Sequence, residues 1–271
     1  MTLTITEPTP SWRSRLLASA GQLAPVLHSE WHKLRTTRSA WWTAGLAAFI
    51  SVLLGILRCS SIASAAHPVT GVDYFGASLF GLSVAQFAIA AGGVLIITAE
   101  YSGGTMPPTL IATPQRVRLL IAKIGVLAAV AWAYGLLISA LAVGIGLAIL
   151  GPRAHAALFS ALAVRRLLGA SGLFVAMALI GFGCGTIVRR SAGGLIATAA
   201  VLMVPSLAVQ VLTGAARQDV IRYLPLRAAD ALVQGSSSTG ALSPLAALGA
   251  LAAEIAVLLV AGAMVLSRRD A

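Results

Sequence analysis

Apolar residues fill six long stretches of the chain, and polar or charged connections separate them. A helix that crosses a membrane needs about 20 predominantly apolar residues, because each residue adds about 1.5 Å against about 30 Å of hydrocarbon. Six stretches meet that requirement and are predicted as spans: 41–57, 79–98, 119–149, 167–188, 192–213 and 245–266. The pattern predicts an all-α integral membrane protein with six transmembrane helices. Lys123, near the start of the third stretch, indicates that its first turns lie among lipid headgroups.

The composition favours lipid as the solvent for much of the surface. Hydrophobic residues make up 58% of the 271 residues, and charged residues only 10%. A soluble domain of this size needs a larger charged surface around its core. The composition therefore excludes an ordinary soluble fold.

The net charge of +11 is explained better by membrane topology than by a nucleic-acid partner. The basic residues lie between apolar stretches, and cationic segments beside a span are retained in the cytoplasm. With both termini inside, twelve of the 19 Lys and Arg residues fall in inner segments, although Arg165 and Arg166 run against this bias. We expect a multi-pass protein of a bacterial cell membrane with both termini cytoplasmic and no nucleic-acid partner.

The residues ahead of the first span predict an amphipathic helix lying at the membrane interface. Its apolar face carries Leu23, Val26, Leu27, Trp31 and Leu34. Its polar face carries His28, His32, Lys33 and Arg35. Glu30 projects within the apolar face, where a carboxylate needs a partner. Two interpretations stay open: Glu30 reaches water or pairs with Lys33, or it forms a salt bridge with the inner loop or with another subunit.

The connections complete the predicted organisation of the chain. Residues 1–40 form a cytoplasmic segment with the interface helix, 41–266 the six-span domain, and 267–271 a cytoplasmic tail. Between spans five and six, the periodicity predicts two short extracellular helices, 220–224 ended by Pro225 and 228–233 ended by Gly235.

Polar and small residues within the spans are the next candidates for a role. An unpaired charge at the position of Glu254, near the middle of span six, would cost at least about 2.5 kcal/mol. Gln86 and Gln210 lie at comparable depth and are candidate hydrogen-bond partners. Helix packing, a substrate contact and a proton relay all stay open for Glu254. The glycine pairs Gly181 with Gly185 and Gly144 with Gly146 favour close helix packing.

Catalytic and metal-binding motifs are missing from the sequence. No Gly-x-x-x-x-Gly-Lys-Ser/Thr phosphate loop and no Gly-x-Ser-x-Gly element occurs. His28 and His32 have a chelating spacing but lack a third ligand, and Cys59 and Cys184 are predicted at opposite sides of the membrane. We expect no catalytic residue, metal site or cofactor in this chain.

Four motifs in order indicate a family. The N-terminal segment reads Glu30-Trp-His-Lys-Leu-Arg, and the inner loop reads Thr98-Ala-Glu-Tyr-Ser-Gly-Gly-Thr-Met, with Arg116 and Lys123 beyond. Residues 181–190 followed by Ser-Ala-Gly, and then Tyr223-Leu-Pro, complete the series. On a six-span pattern, from about residue 28 to 269, the chain resembles the ABC-2 type transporter permease family in its actinobacterial form.

The resemblance implies a permease subunit of an exporter. Such a subunit pairs with a second permease, identical or different, and with two copies of an ATP-binding subunit that holds ATP and magnesium. In that family a Glu-x-x-x-Gly-Thr element after span two lies against the ATPase. The coupling residues expected here are Glu30, Lys33, Arg35, Glu100, Gly104, Thr105, Pro114 and Arg116. The glycines at 103–104 and prolines at 107–108 depart from the helix that the family often keeps.

Other interpretations of the same features stay open. The inner loop could be an ordinary hairpin in which Arg116 and Arg118 only anchor lipid phosphate. The whole chain could be a proton-coupled carrier relying on Glu254, or a non-transporting scaffold or immunity protein. The apolar spans fit a drug-like or lipid-like cargo, but the substrate stays unidentified, because composition does not separate cargo-facing from lipid-facing residues.

Overall fold

The computed structural model describes six segments of the chain: 28–64, 73–103, 116–151, 161–211, 215–234 and 242–268. Within these segments the secondary structure is helical, without a strand. Six helices are long and apolar enough to cross a membrane, and in chain order they are the first to sixth spans: Arg38–Ala63, Leu82–Ser102, Leu119–Leu150, Ala161–Val188, Ser191–Val211 and Pro244–Val265. The predicted fold class, an all-α protein with six transmembrane helices, is confirmed.

Several helices extend beyond the apolar stretches that predicted them. The first span runs to Ala63 rather than residue 57, and the fourth begins at Ala161 rather than 167. The third helix begins at Arg116, and the sixth continues to Arg268. Backbone hydrogen bonding continues through polar residues at the interface, whereas hydropathy marks only the part suited to hydrocarbon.

Short helices lie between and before the spans. Residues 28–36 are helical ahead of span one. Tyr74–Ser78 forms a five-residue helix that the apolar pattern did not predict; Asp73 caps it by accepting from the Gly76 N–H at 3.0 Å. Between spans five and six lie Ala215–Ile221 and Pro225–Gln234. Pro225 begins the second of these helices instead of ending the first, because proline is favoured at the first helical position.

The fourth span is the centre of the bundle. It packs against spans two, three, five and six and against the helix Pro225–Gln234. In its most apolar stretch 72% of residues are buried, against 11% for the sixth span. Large apolar side chains on the outer spans face outward, as Phe49 and Val257 do, which is the arrangement expected of a surface solvated by lipid.

Glycines bring spans two and four into close contact. A Cβ at Gly181 would lie 1.9 Å from the Ala90 carbonyl oxygen, and one at Gly93 would lie 2.1 Å from that of Ala178. Gly185 and Gly146 are similarly crowded, whereas a Cβ at Gly144 would meet no atom within 4 Å. The packing role predicted for Gly181, Gly185 and Gly146 is therefore confirmed, and Gly144 has no such role in this chain. The backbones of spans two and four are therefore in direct contact at these glycines.

Candidate functional site

Each end of the helix bundle has its own charged contact. At one end the helix 28–36, the last turn of span two and the start of span three meet around Lys123; we call this the Lys123 end. At the opposite end the segment after span one meets the start of span four at Arg166; we call this the Arg166 end. Three of the residues predicted to couple to an ATPase, Glu30, Lys33 and Glu100, belong to the Lys123 end.

Lys123 joins two carboxylates that come from different helices. Its Nζ donates to Glu30 Oε2 at 2.5 Å and also to Glu100 Oε1. Lys33 Nζ donates to the other oxygen of Glu30, Oε1, at 3.0 Å. The side chains of Lys123, Glu30 and Glu100 are only 5%, 6% and 13% exposed. Charged groups this deeply buried persist only when they are paired and hydrogen-bonded.

The local sequence explains how these charges meet. Glu100 lies in the last turn of span two, Lys123 lies about two turns into the helix Arg116–Leu150, and Glu30 is the third residue of the helix 28–36. The cluster adjoins a cavity of about 200 Å³ whose apolar lining includes Ile97 and Phe182. Because the side chains of Lys123, Glu30 and Glu100 are buried, their charges attract one another more strongly than they would at an exposed surface.

A second contact at the Lys123 end joins spans two, four and six. Arg189 follows span four with a φ of 61°, a left-handed turn that aims its side chain across the bundle. Its Nη2 donates to the Val265 carbonyl at 3.0 Å, and its guanidinium lies 5.4 Å from the ring centroid of Tyr101, the residue after Glu100. The Thr98 and Ser191 hydroxyls are 2.9 Å apart. Span two, which carries Glu100 of the Lys123 cluster, is therefore linked through Tyr101 and Arg189 to span six.

The Arg166 end has a different arrangement. The buried Arg166 donates from Nη1 to Asp73 Oδ1 at 2.6 Å, and its guanidinium lies 5.8 Å from the ring centroid of Phe75. Burial raises the pKa of Asp73, but the hydrogen bonds from Arg166 and from the Gly76 N–H lower it more, so the pKa falls below its ordinary 3.8. This carboxylate both pairs with span four and caps the neighbouring short helix.

A polar cavity at the Arg166 end holds a second aspartate. It has a volume of about 410 Å³ and is lined by Asp73, Asp230 and Arg58 among others. Burial raises the pKa of Asp230 above its ordinary 3.8, and the nearby Arg227 offsets part of that effect. The two aspartates of one cavity therefore have pKa values shifted in opposite directions.

A protein-family model described as "ABC-2 family transporter protein" matches residues 26–206 of the chain. This chain belongs to the ABC-2 transporter family. The match includes the helix 28–36, the first four spans, most of the fifth, and every charged residue of the Lys123 cluster. A search of curated proteins finds no match to the chain. The chain is thus a membrane permease subunit of an ABC transporter, and such a subunit is not itself catalytic.

In this ABC-2 permease, the residues expected to couple to an ATPase divide into three groups. Glu30, Lys33 and Glu100 meet in the Lys123 cluster. Arg35 points elsewhere, with its guanidinium 6.0 Å from the ring centroid of Trp31. The remaining residues lie where nothing is described: Gly104, Thr105 and Pro114 in the connection 104–115, and the Arg116 side chain at the start of the next helix.

The sequence interpretation of the permease did not identify the centre of the site. It assigned Lys123 to the headgroup region, and it gave no role to Tyr101 or Arg189. The sequence did contain a signal for this site, because Lys123 is a lone lysine within an otherwise apolar stretch. If protein covers that end of the helix, such a lysine needs an anionic partner. Glu30, misplaced on an apolar helix face, was the matching signal on the other partner.

The polar residues within the spans of the permease lie apart from one another. Glu254 is half-buried, one turn before Leu258, whose side chain packs on Gly183 of span four. Gln86 is buried and donates from Nε2 to the Ser83 carbonyl at 2.8 Å. Gln210 is exposed in the last turn of span five. No hydrogen bond connects these three described residues, and Glu254 faces the interface between spans four and six.

Proposed function

We propose that this permease couples ATP hydrolysis on partner ATP-binding subunits to the export of an apolar, drug-like or lipid-like substrate. The observation that carries the proposal is the buried cluster of Lys123, Glu30 and Glu100. Its members come from the helix before span one and from the two helices that flank the connection 104–115. A partner that displaces this connection would therefore move all three helices together.

Packing supports transmission of such a movement into the membrane. Span two carries Glu100 at its end and contacts span four through the glycines Gly93 and Gly181. Closely packed helices shift as units and do not deform locally, so a displacement at Glu100 reaches the central span. Arg189 and Tyr101 give the same end a connection to span six. The coupling route runs from the connection 104–115 through span two to span four.

The proposed assembly has two permease subunits, identical or different, and two ATP-binding subunits that hold ATP and magnesium. We place the Lys123 end and both termini in the cytoplasm, because most Lys and Arg residues follow that orientation. A cytoplasmic ATPase would then meet the helix 28–36, the connection 104–115 and the Arg116 side chain.

The test is the ATPase rate of the co-purified complex in lipid vesicles, compared with that of the isolated ATP-binding subunit, with and without a lipophilic dye. We expect Glu100→Ala to leave membrane insertion intact and to abolish the stimulation, because one anchor of the cluster is lost. Glu100→Gln keeps the size of the side chain and should reduce the stimulation for the same reason.

The matched control is Asp73→Asn, which neutralises a paired carboxylate at the other end of the bundle. This variant should keep the stimulation. Unchanged stimulation in both Glu100 variants, in complexes with the subunit composition of the original, would contradict coupling through the Lys123 cluster.

A second candidate is a proton-coupled carrier, favoured by the half-buried carboxylate of Glu254 between spans four and six. Ionisable residues at such depth often serve as proton relays. Transport of the dye that continues without ATP and collapses with the proton gradient would support the carrier and overturn the ATP-driven proposal. Glu254→Gln would then abolish transport.

A further inference from the structure

An apolar groove of about 590 Å³ lies between spans one, two and three, next to the helix 28–36. Small residues create it. Gly92 and Gly93 of span two line it, packed against Thr43 of span one and the backbone of Ala178 of span four. Gly45 of span one faces open space, since a Cβ there would meet no atom within 4 Å. The groove adjoins the Lys123 cavity, with which it shares Leu34, Ile96 and Leu127, but its lining includes neither Glu30 nor Glu100.

The mouth of the groove, at the Lys123 end, is aromatic and cationic. Trp31, Arg35 and Trp41 line it. The Trp41 Nε1–H donates to the Arg35 carbonyl at 2.8 Å, which holds the indole beside the helix 28–36. Arg38 is exposed and lies three residues before Trp41, hence on the same side of span one. Tryptophan and arginine in this combination are typical of the headgroup layer of a membrane.

The deep part of the groove offers no such polar group. Its lining on span one runs from Ala40 to Ala48, about 12 Å along the helix axis. The two hydroxyls that line it already donate to backbone carbonyls, Thr43 to those of Ser39 and Ala40 and Tyr134 to that of Ala44. An occupant of the deep part must therefore be apolar, while an occupant of the mouth must suit two guanidinium groups.

Charge complementarity selects an anion for the mouth. Glu30, on the same helix as Arg35, is buried and paired with Lys33 and Lys123, so it does not neutralise Arg35. A guanidinium forms paired hydrogen bonds to phosphate, and cationic pockets between spans bind anionic lipid headgroups. A cationic, apolar molecule would meet repulsion at the same place.

We propose that the groove binds one anionic phospholipid, with an acyl chain between spans one, two and three and its phosphate at Arg35 and Arg38. The lipid would fill the space that the small residues leave and would fix the helix 28–36 against span one. This site does not depend on the coupling proposed above, because it uses neither Glu100 nor a partner subunit.

The test is lipid retention by the whole chain purified in detergent, measured by native mass spectrometry. Phosphatidylglycerol and phosphatidylcholine with identical acyl chains are offered in equal amounts. We expect at least about fivefold more phosphatidylglycerol than phosphatidylcholine to be retained, because a single basic residue near an anionic headgroup has an effect of that size. Arg35→Gln combined with Arg38→Gln should bring the ratio close to one.

A groove-filling variant tests the position of the acyl chain. Gly45→Leu puts a side chain into the open space and should remove the retention of both lipids. Gly249→Leu is the matched control: this glycine, on span six, is also exposed and also has open space at its Cβ position. The control should retain phosphatidylglycerol like the original chain.

Three results would overturn the proposal. These are equal retention of the two lipids by the original chain, full retention by Gly45→Leu, and displacement of phosphatidylglycerol by millimolar inorganic phosphate. Should Gly45→Leu fail to fold, tryptophan quenching in the original chain replaces it. Brominated phosphatidylglycerol must then quench more than brominated phosphatidylcholine at the same mole fraction, because Trp31 and Trp41 lie at the mouth.

Discussion

The two ends of the bundle each bury a cation, but they pair it in different ways. At the Lys123 end, one lysine contacts two carboxylates, and all three side chains are shielded from solvent. At the Arg166 end, the arginine is buried while the Asp73 side chain remains 49% exposed. Water can therefore solvate Asp73 at the Arg166 end, whereas it has little access to Lys123, Glu30 or Glu100.

This difference indicates different roles for the two contacts. The Lys123 cluster holds together three helices that are distant in the sequence, and each member depends on the others for charge balance. The Arg166 contact is more local in effect, because Asp73 is also bonded to the backbone of its own short helix. The first is suited to transmitting movement between helices, and the second to fixing a connection between spans.

The largest effect is expected from Lys123→Met. The change leaves two buried carboxylates without their common cation, and breaking a buried pair in this way costs about 3–5 kcal/mol. Unfolding of the detergent-purified chain, followed by tryptophan fluorescence, measures the loss. Adding Glu30→Gln and Glu100→Gln to Lys123→Met should recover most of the stability, since no buried carboxylate then lacks the lysine, and Lys33, whose side chain is 36% exposed, is solvated by water. If Lys123→Met were as stable as the original chain, the Lys123 contact would not be the stronger of the two, and the proposed difference between the ends would be wrong.

A smaller effect is expected from Arg166→Met at the other end. Removing the guanidinium eliminates one charge-assisted hydrogen bond and the contact with the Phe75 ring, but Asp73 can turn to water. We expect a loss of about 1–2 kcal/mol by the same unfolding measurement. A loss as large as that of Lys123→Met would show that the two ends are energetically alike.

The smallest effect concerns the two aspartates of the Arg166 end. The pKa of Asp73 is lowered on folding, so its stabilising contribution is present above pH 3.8 and is lost as the pH falls further. The pKa of Asp230 is raised, so its ionisation reduces stability as the pH rises above 3.8. At pH 7 we expect Asp73→Asn to destabilise and Asp230→Asn to stabilise, each by less than about 1 kcal/mol, because both side chains are partly solvated.

Thermal unfolding midpoints of both variants between pH 7 and pH 3 provide the measurement. The opposite shifts should become smaller as the pH falls through 3.8, because the original carboxylates then take up protons. A pH-independent difference for either variant would mean that packing, and not ionisation, causes it.

The Arg166 contact also explains a departure from the charge rule. Arg165 and Arg166 lie near the start of span four, at the end that the orientation places outside, where basic residues are disfavoured. The structure gives Arg166 a carboxylate partner and an aromatic ring at that end. Arg166 is therefore stabilised at that end by contacts within the bundle. Counting the basic residues of each connection does not reveal such contacts.

The sequence by itself determined that the chain has six spans. Span number follows from the length of the apolar stretches, because hydrocarbon thickness sets a minimum that local composition satisfies or fails. The sequence also identified Glu30 as a carboxylate in need of a partner, and Gly181 with Gly185 as a packing surface. Helix ends were predicted less well, since helices continue into polar residues where hydropathy ends, as span one does to Ala63.

Only the tertiary structure decided which charges meet. Glu30 and Lys123 are 93 residues apart, as are Asp73 and Arg166. Neither pairing has a periodicity or spacing that local sequence could reveal, because it depends on which faces of the packed helices turn toward each other. The position of a residue along a span gives its depth in the membrane. Which residue of another span it contacts at that depth depends on how the spans pack, as spans two and four do where glycine lets their backbones approach.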